Sequence, residues 1–210
     1  MPDRKISAAG APPAPGLSSH DRILQAAKQL FASRGYENTS TVNIARLAGT
    51  SESQLMKHFG SKEGLLEAIF EQGWEQMGFY YRGIEELRSP TEKLQALLEL
   101  VVNALERDQE LKALMLLEGR RVRKEGRMIL MTEGYLRFVK VLDDILGQMK
   151  QNGSLRPDLN TQALRSGLTG MFEGMLRDQV LAQRMGYPAT YGIKELGAVF
   201  NSVIEAMVKG

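Results

Sequence analysis

The sequence predicts an all-α protein of about nine helices, an N-terminal helix-turn-helix unit followed by a larger helical bundle. Three observations predict it. From Ser18 onward apolar residues recur three and four positions apart, the spacing that lines one face of a helix. The segments carrying that spacing are set off by helix signals, with Ser, Asn or Ser-Pro ahead and Gly behind. No run alternates Val, Ile or Thr with polar residues strongly enough for a sheet, and no internal repeat is visible.

Residues 1–17 are rich in Ala, Pro and Gly and carry Arg4 and Lys5. They read as a disordered arm, with added phosphate contacts from a basic arm as the alternative. The first helix, 19–34, carries Ile23, Ala27, Leu30 and Phe31 and stops at Gly35. Two short helices are expected at 41–48 and 52–59, and a fourth begins after Ser61, runs to about 80 and carries Leu66, Phe70, Trp74 and Met77. Residues 18–77 form the expected head domain and 78–210 the bundle. Ser89-Pro90-Thr91-Glu92 combines a capping serine, a first-turn proline and a glutamate placed to reach back. The helix it opens holds Leu94, Leu97, Leu98, Val101 and Leu105. Further helices are expected at 109–118, 127–151 (closed by Gly153), 161–184 (capped by Asn160) and 191–208 after Pro188.

Composition narrows the function. The 210 residues are 43% hydrophobic and 25% charged, ordinary for a globular chain. With no cysteine there is no disulfide, thiolate nucleophile or cysteine metal site, which suits a reducing cytoplasm. The N-terminus lacks the apolar core of a secretory signal, and no apolar run approaches the ~20 residues of a membrane span. The net charge of +2 does not by itself argue for nucleic acid. The two histidines are His20 and His58, no acidic or histidine cluster has metal-ligand spacing, and neither a nucleophile elbow nor a phosphate-cradling loop occurs. The reading is a non-enzyme without cofactor or metal.

The informative stretch is Thr39 to Glu63. Ser40 is placed to cap the 41–48 helix, where Ile44, Ala45 and Ala48 form the buried stripe and Gly49 supplies the sharp turn. Ser51 and Gln54 have capping-box spacing at the start of the next helix, in which Leu55 and Phe59 face the core. Glu52, Ser53, Gln54, Met56, Lys57 and His58 are then left for solvent or DNA. Two helices so joined are how a major-groove reader looks, the second helix entering the groove. Gln54 suits an adenine edge, Lys57 a phosphate or guanine, and Lys62 at the start of the fourth helix another phosphate.

The stretch from Asp21 to Leu66, with LF…GY, IA..AG.S and HF.SKE.L as landmarks, resembles the N-terminal domain of the TetR family of bacterial transcriptional regulators. GSLRPDLN and Phe172-Glu173-Gly174 resemble the family's C-terminal half less specifically. The resemblance implies an all-helical homodimer with N-terminal reading heads and a C-terminal ligand and dimer domain. It places phosphate contacts on Ser40, Thr41, Lys57, His58 and Lys62, and base reading on Glu52, Ser53 and Gln54. The chain departs from the pattern at Met56, where the family usually has a phosphate-gripping tyrosine, and at Ser53, where glycine is common. Methionine offers an apolar contact to a thymine methyl instead, or weaker backbone binding.

In the C-terminal half, methionines and aromatics recur at helical spacing. Trp74, Met77, Tyr81, Met115 and Met131 are candidates for an effector pocket, with Tyr135, Phe138, Phe172 and Met175. The same spacing is also that of a plain core. Gly167, Gly170 and Gly174, which cost helix stability, point to close helix approach at a dimer face, joined by Leu196, Val199, Phe200 and Val203, with a cavity-forming gap as the rival. The basic run from Gly119 to Arg127 reads as a solvated helix end and loop, or as a carboxylate-recognition patch. The expectation is a transcriptional regulator, a repressor, that binds a palindromic double-stranded operator as a dimer and is released by a small, largely apolar effector. A constitutive DNA binder without effector, and a helical interaction or pocket protein that has lost DNA reading, are the alternatives.

Overall fold

A computed structural model describes residues 16–208. The expected arm, with Arg4 and Lys5, lies almost wholly outside the described residues. Ten helices are present among those described: α1 (Ser19–Arg34), α2 (Thr41–Leu47), α3 (Glu52–Phe59), α4 (Lys62–Gly78), α5 (Tyr81–Glu85), α6 (Pro90–Arg107), α7 (Gln109–Leu117), α8 (Glu133–Gln151), α9 (Thr161–Met185) and α10 (Ile193–Met207).

Local chemistry sets most helix starts. Ser18, Ser40, Ser51, Ser61, Ser89, Asp108, Thr132 and Asn160 each accept a hydrogen bond from a backbone N–H of the turn they open. Each such bond satisfies an amide that the helix itself leaves without a partner. At Ser51 only the serine half of the expected capping box forms, because the Gln54 side chain turns to His58 instead. Glu195 supplies a reach-back bond elsewhere, accepting from the Gly192 N–H at 2.8 Å.

Three expectations need correction. The helix count rises to ten because α5 is only five residues long, too short to show a period. The helix expected from 127 begins at Glu133, where Thr132 caps it. The residues ahead of it form a two-stranded antiparallel hairpin, β1 (Arg123–Lys124) and β2 (Arg127–Met128), which pairs Arg123 with Met128 and Lys124 with Arg127. Its turn residues, Glu125 and Gly126, both have positive φ (51° and 80°), as a tight hairpin requires. Strands of two residues are too short to leave an alternating pattern. The basic run therefore is not a helix end, and its cations are paired outward: Arg120 with Glu173, Arg121 with Glu118, and Lys124 with Glu67 of α4.

The core is continuous from the head to the bundle. α4 packs on α1 and α3 on one side and on α6, α7 and α8 on the other. Polar ties reinforce the junction: Lys28 of α1 meets Asp108 at 2.6 Å, Arg184 of α9 donates to the Ala32 carbonyl of α1 at 3.0 Å, and the Glu71 carboxylate of α4 accepts from the Gly134 N–H of α8 at 2.8 Å. The fully buried Lys112 of α7 is held by Glu106 of α6 and, at 3.1 Å, by the Gln179 side-chain carbonyl of α9. That buried cation is paired and hydrogen-bonded, the condition under which burial of a charge is tolerated.

Three glycines let backbones meet at α4. A methyl on Gly64 would lie 2.2 Å from the Phe59 carbonyl oxygen, one on Gly73 2.5 Å from the Leu111 side chain, and one on Gly134 2.5 Å from the Trp74 Cβ. Gly83, by contrast, has nothing within 4 Å. We expect Gly64→Ala to lose about 1–3 kcal/mol in urea unfolding, since a backbone oxygen cannot step aside, and Gly83→Ala to be neutral or to gain up to about 1 kcal/mol. Equal stability of Gly64→Ala and the parent chain would contradict this packing.

Candidate functional site

The candidate reading surface is built by α2 and α3. Ile44, Ala45, Ala48 and Leu55 are buried, and the alanines let the two helices cross closely. Gly49 turns the chain with φ of 62°, and the Thr50 N–H returns to the Ala45 carbonyl at 3.0 Å. Arg22 of α1 fixes the end of α2 by donating to the Ala48 carbonyl at 3.0 Å. Phe59 is half-buried, and the His20 ring stacks on it at 4.9 Å.

The polar groups of this surface are already connected. Thr41 donates to the Glu52 carboxylate, tying α2 to the start of α3. Gln54 and His58, one turn apart, meet through their side-chain nitrogens at 3.2 Å, and His58 also meets the Ser19 hydroxyl at 3.0 Å. Ser53, Met56 and Lys57 are exposed and make no such tie. The Lys62 ammonium sits 4.2 Å over the Tyr36 ring, whose hydroxyl donates to Glu63 at 2.9 Å. The first-turn backbone bond at Glu63, together with Tyr36, holds the Glu63 carboxyl below its usual range, while burial and the Glu63 contact push the Tyr36 phenol up. The surface thus presents a free cation at Lys57, a stacked one at Lys62, and an amide at Gln54 that must leave His58 before it meets a base edge. Ser40 spends its hydroxyl on the cap of α2.

A second site lies within the bundle. Trp74, Met115, Tyr135, Phe138 and Phe172 come together around a narrow, mostly apolar cavity, with Leu98, Val101, Leu105, Leu142 and Leu168 completing its aliphatic wall. About 50 Å³ of it is open. Trp74 stacks on Phe138 at 5.0 Å and meets Tyr135 edge-on at 5.4 Å. Of the other expected pocket residues, Met77 and Tyr81 are core side chains outside this cavity, and burial pushes the Tyr81 phenol up to about 12. Met131 is exposed and borders a basin just outside the cavity, and Met175 is half-buried and does not line the cavity. Helical spacing alone does not separate a core side chain from a cavity wall.

Tyr135, Thr169 and Glu173 also border an outer basin of about 570 Å³ that holds Arg120, Arg165 and Arg177. Arg120 closes on Glu173 at 2.6 Å, and Arg165 on Asp143 at 2.5 Å. Sequence reading singled out Arg120 within the basic run, but Arg165 and Arg177 carry no local signal, because the segment ahead of the hairpin must pack on α9 before the three arginines share a basin. On the outer faces of α9 and α10, Gly167 is exposed with nothing within 4 Å, Gly174 and Val203 are half-buried, and Val199 is exposed, while Gly170, also exposed, borders the arginine basin. Leu196 and Phe200 instead point into the protomer's own core, at 1% and 3% exposure.

Comparison with known proteins follows the same two parts. The model for bacterial regulatory proteins of the tetR family matches residues 23–69, and that for the YsiA-like protein C-terminal region matches 74–205. The chain is 27% identical over 195 residues to the fatty acid metabolism regulator protein of Bacillus subtilis, covering 90% of this chain and 93% of that one. It is 30% identical over 149 residues to the HTH-type transcriptional repressor KstR2 of Mycolicibacterium smegmatis, covering 70% and 73%. The solved transcriptional regulator FadR from Bacillus subtilis, in complex with stearoyl-CoA, superposes with a TM-score of 0.75 at 26% identity over 90% of this chain and 97% of that one.

Among the described residues, no carboxylate pairs with Lys57 of α3. Lys57→Ala should weaken DNA binding across all sequences and lower the slope of log affinity against log salt by about one. An unchanged slope in a salt titration would remove Lys57 from the phosphate contacts.

Proposed function

The chain belongs to the tetR family of bacterial regulatory proteins and is a DNA-binding transcriptional regulator, and we propose that it is a cytoplasmic repressor released from its operator by an amphipathic acyl thioester. The observation that carries this reading is that the apolar cavity and the arginine-bearing basin adjoin, with Tyr135, Thr169 and Glu173 lining both. An apolar chain suits the first and an anionic head the second. The stearoyl-CoA bound by the similar Bacillus subtilis regulator has both parts.

In this reading a homodimer places one α3 from each protomer into successive major grooves, roughly 34–36 Å apart or a multiple of that. Glu52, Ser53 and Gln54 meet base edges, Met56 offers its apolar side chain, and Ser40, Thr41, Lys57, His58 and Lys62 meet phosphates. Two copies pair through the outer faces of α9 and α10, where Gly167, Gly170, Gly174, Val199 and Val203 are available to a partner. Gly167→Leu should shift sedimentation from dimer toward monomer with the melting temperature of the protomer little changed. A dimer of unaltered strength would place the interface elsewhere.

Release follows from the size of the cavity. Its 50 Å³ is far below the roughly 300–1,000 Å³ of a ligand-filled pocket, so an acyl chain enters only by parting the walls. One wall is α4 at Trp74, and the Glu71–Gly134 bonds clamp α4 to the start of α8 beside it. Parting those walls moves α4, and with it α3. The ligand therefore has differential affinity for a conformation whose heads are misplaced for the operator, typically worth ~1–3 kcal/mol.

Stearoyl-CoA added to the complex with DNA from upstream of the chain's own gene should release the protein at micromolar concentration, read by fluorescence anisotropy, while free coenzyme A should not. Binding that survives saturating stearoyl-CoA would leave a constitutive dimeric binder. Equal, weak binding to operator and scrambled DNA would point to a head that no longer reads sequence.

A further inference from the structure

Trp74 is the chain's single tryptophan and is 6% exposed. Its ring is fixed by Phe138 and Tyr135, and its indole Nε1–H, on a side chain that lines the cavity, is buried with no acceptor among the described residues. Buried donors in native proteins are almost always paired, and a buried indole N–H usually finds a partner. The other side-chain donors of this wall are Thr169, which already donates to the Arg165 carbonyl at 2.9 Å, and the Tyr135 hydroxyl. Both residues also border the outer basin, where an effector's charged head is expected. Trp74 borders only the inner, apolar cavity.

We propose that Trp74 is the specificity-determining donor of the cavity, its indole N–H bonding a carbonyl oxygen set within the apolar part of the ligand. A pure hydrocarbon segment would leave this donor unpaired when the walls close on it, whereas a thioester, ester or ring ketone brings one acceptor and no charge. The inference rests on the effector reading above and adds to it the reason why a carbonyl, rather than chain length alone, is recognised. It also puts the polar contact on α4, the helix that carries the head.

The test uses a matched pair: stearoyl-CoA and S-octadecyl-CoA, in which a methylene replaces the thioester carbonyl, titrated calorimetrically into the full chain. The wild type should prefer the thioester by about tenfold. With no second tryptophan to obscure it, the emission band should shift to the red with stearoyl-CoA and stay unmoved with the thioether. Trp74→Phe, which keeps an aromatic ring against Phe138, should bind both equally by losing affinity for the thioester alone, and Tyr135→Phe should keep the preference. Equal binding of the pair by the wild type, or a preference that survives Trp74→Phe or disappears in Tyr135→Phe, overturns the assignment while leaving the acyl-effector reading intact. The wild-type comparison and its emission need no variant to fold. Binding of neither thioester nor thioether removes the acyl effector itself. Progesterone then decides the remaining source: a tenfold loss of its binding in Trp74→Phe keeps Trp74 as the donor to a ring ketone, and no binding removes both readings.

Discussion

The structure depends on one constraint, that α4 is buried on two sides at once. Its buried residues include Leu65, Leu66, Ile69, Phe70, Trp74 and Met77 over 17 residues, which leaves a narrow exposed strip. It packs on α1 and α3 of the head and on α6, α7 and α8 of the bundle. At Gly64, Gly73 and opposite Gly134 the contacts are too close for a methyl group. Close-packed interfaces of this kind shift as units and do not deform continuously. A displacement at one end of α4 is therefore felt at the other.

The polar ties divide the molecule into a firm end and a yielding one. Lys28–Asp108, Arg184–Ala32 and the buried Lys112 network lock α1, α6, α7 and α9 together. Around the cavity the wall is mostly aliphatic and aromatic, held by dispersion and shape. Side chains held that way can separate without breaking a buried hydrogen bond, except at the Glu71–Gly134 clamp. The apolar part of the cavity wall thus has few directional contacts, as a segment that moves would.

Legibility from sequence followed how local the physics was. The limits of α1 and α3 could be read to the residue because a serine cap and a closing glycine are local signals, and Ala45, Ala48 and Gly49 mark their own turn. α5 and the 123–128 hairpin left no such trace: five residues show no period, and a two-residue strand cannot alternate. The cavity was half legible. Trp74, Phe138 and Phe172 share it, but Met77 and Tyr81 have the same helical spacing and are buried outside it. Which face of a helix meets a gap is decided by its neighbours. The arginine basin was less legible still, because its members lie on the hairpin approach and on two turns of α9.

In the proposed reading, the narrowness of the cavity bears on when the regulator answers its ligand as well as how. If the open form is a minor population, the apparent dissociation constant equals the intrinsic one divided by the fraction open. The set-point of the circuit then belongs to the stiffness of the walls as much as to the fit of the ligand. Exchanging one wall leucine for a smaller residue, at a position that never meets DNA, would retune the dose at which the gene is switched while leaving the operator sequence and the ligand's chemistry as they were.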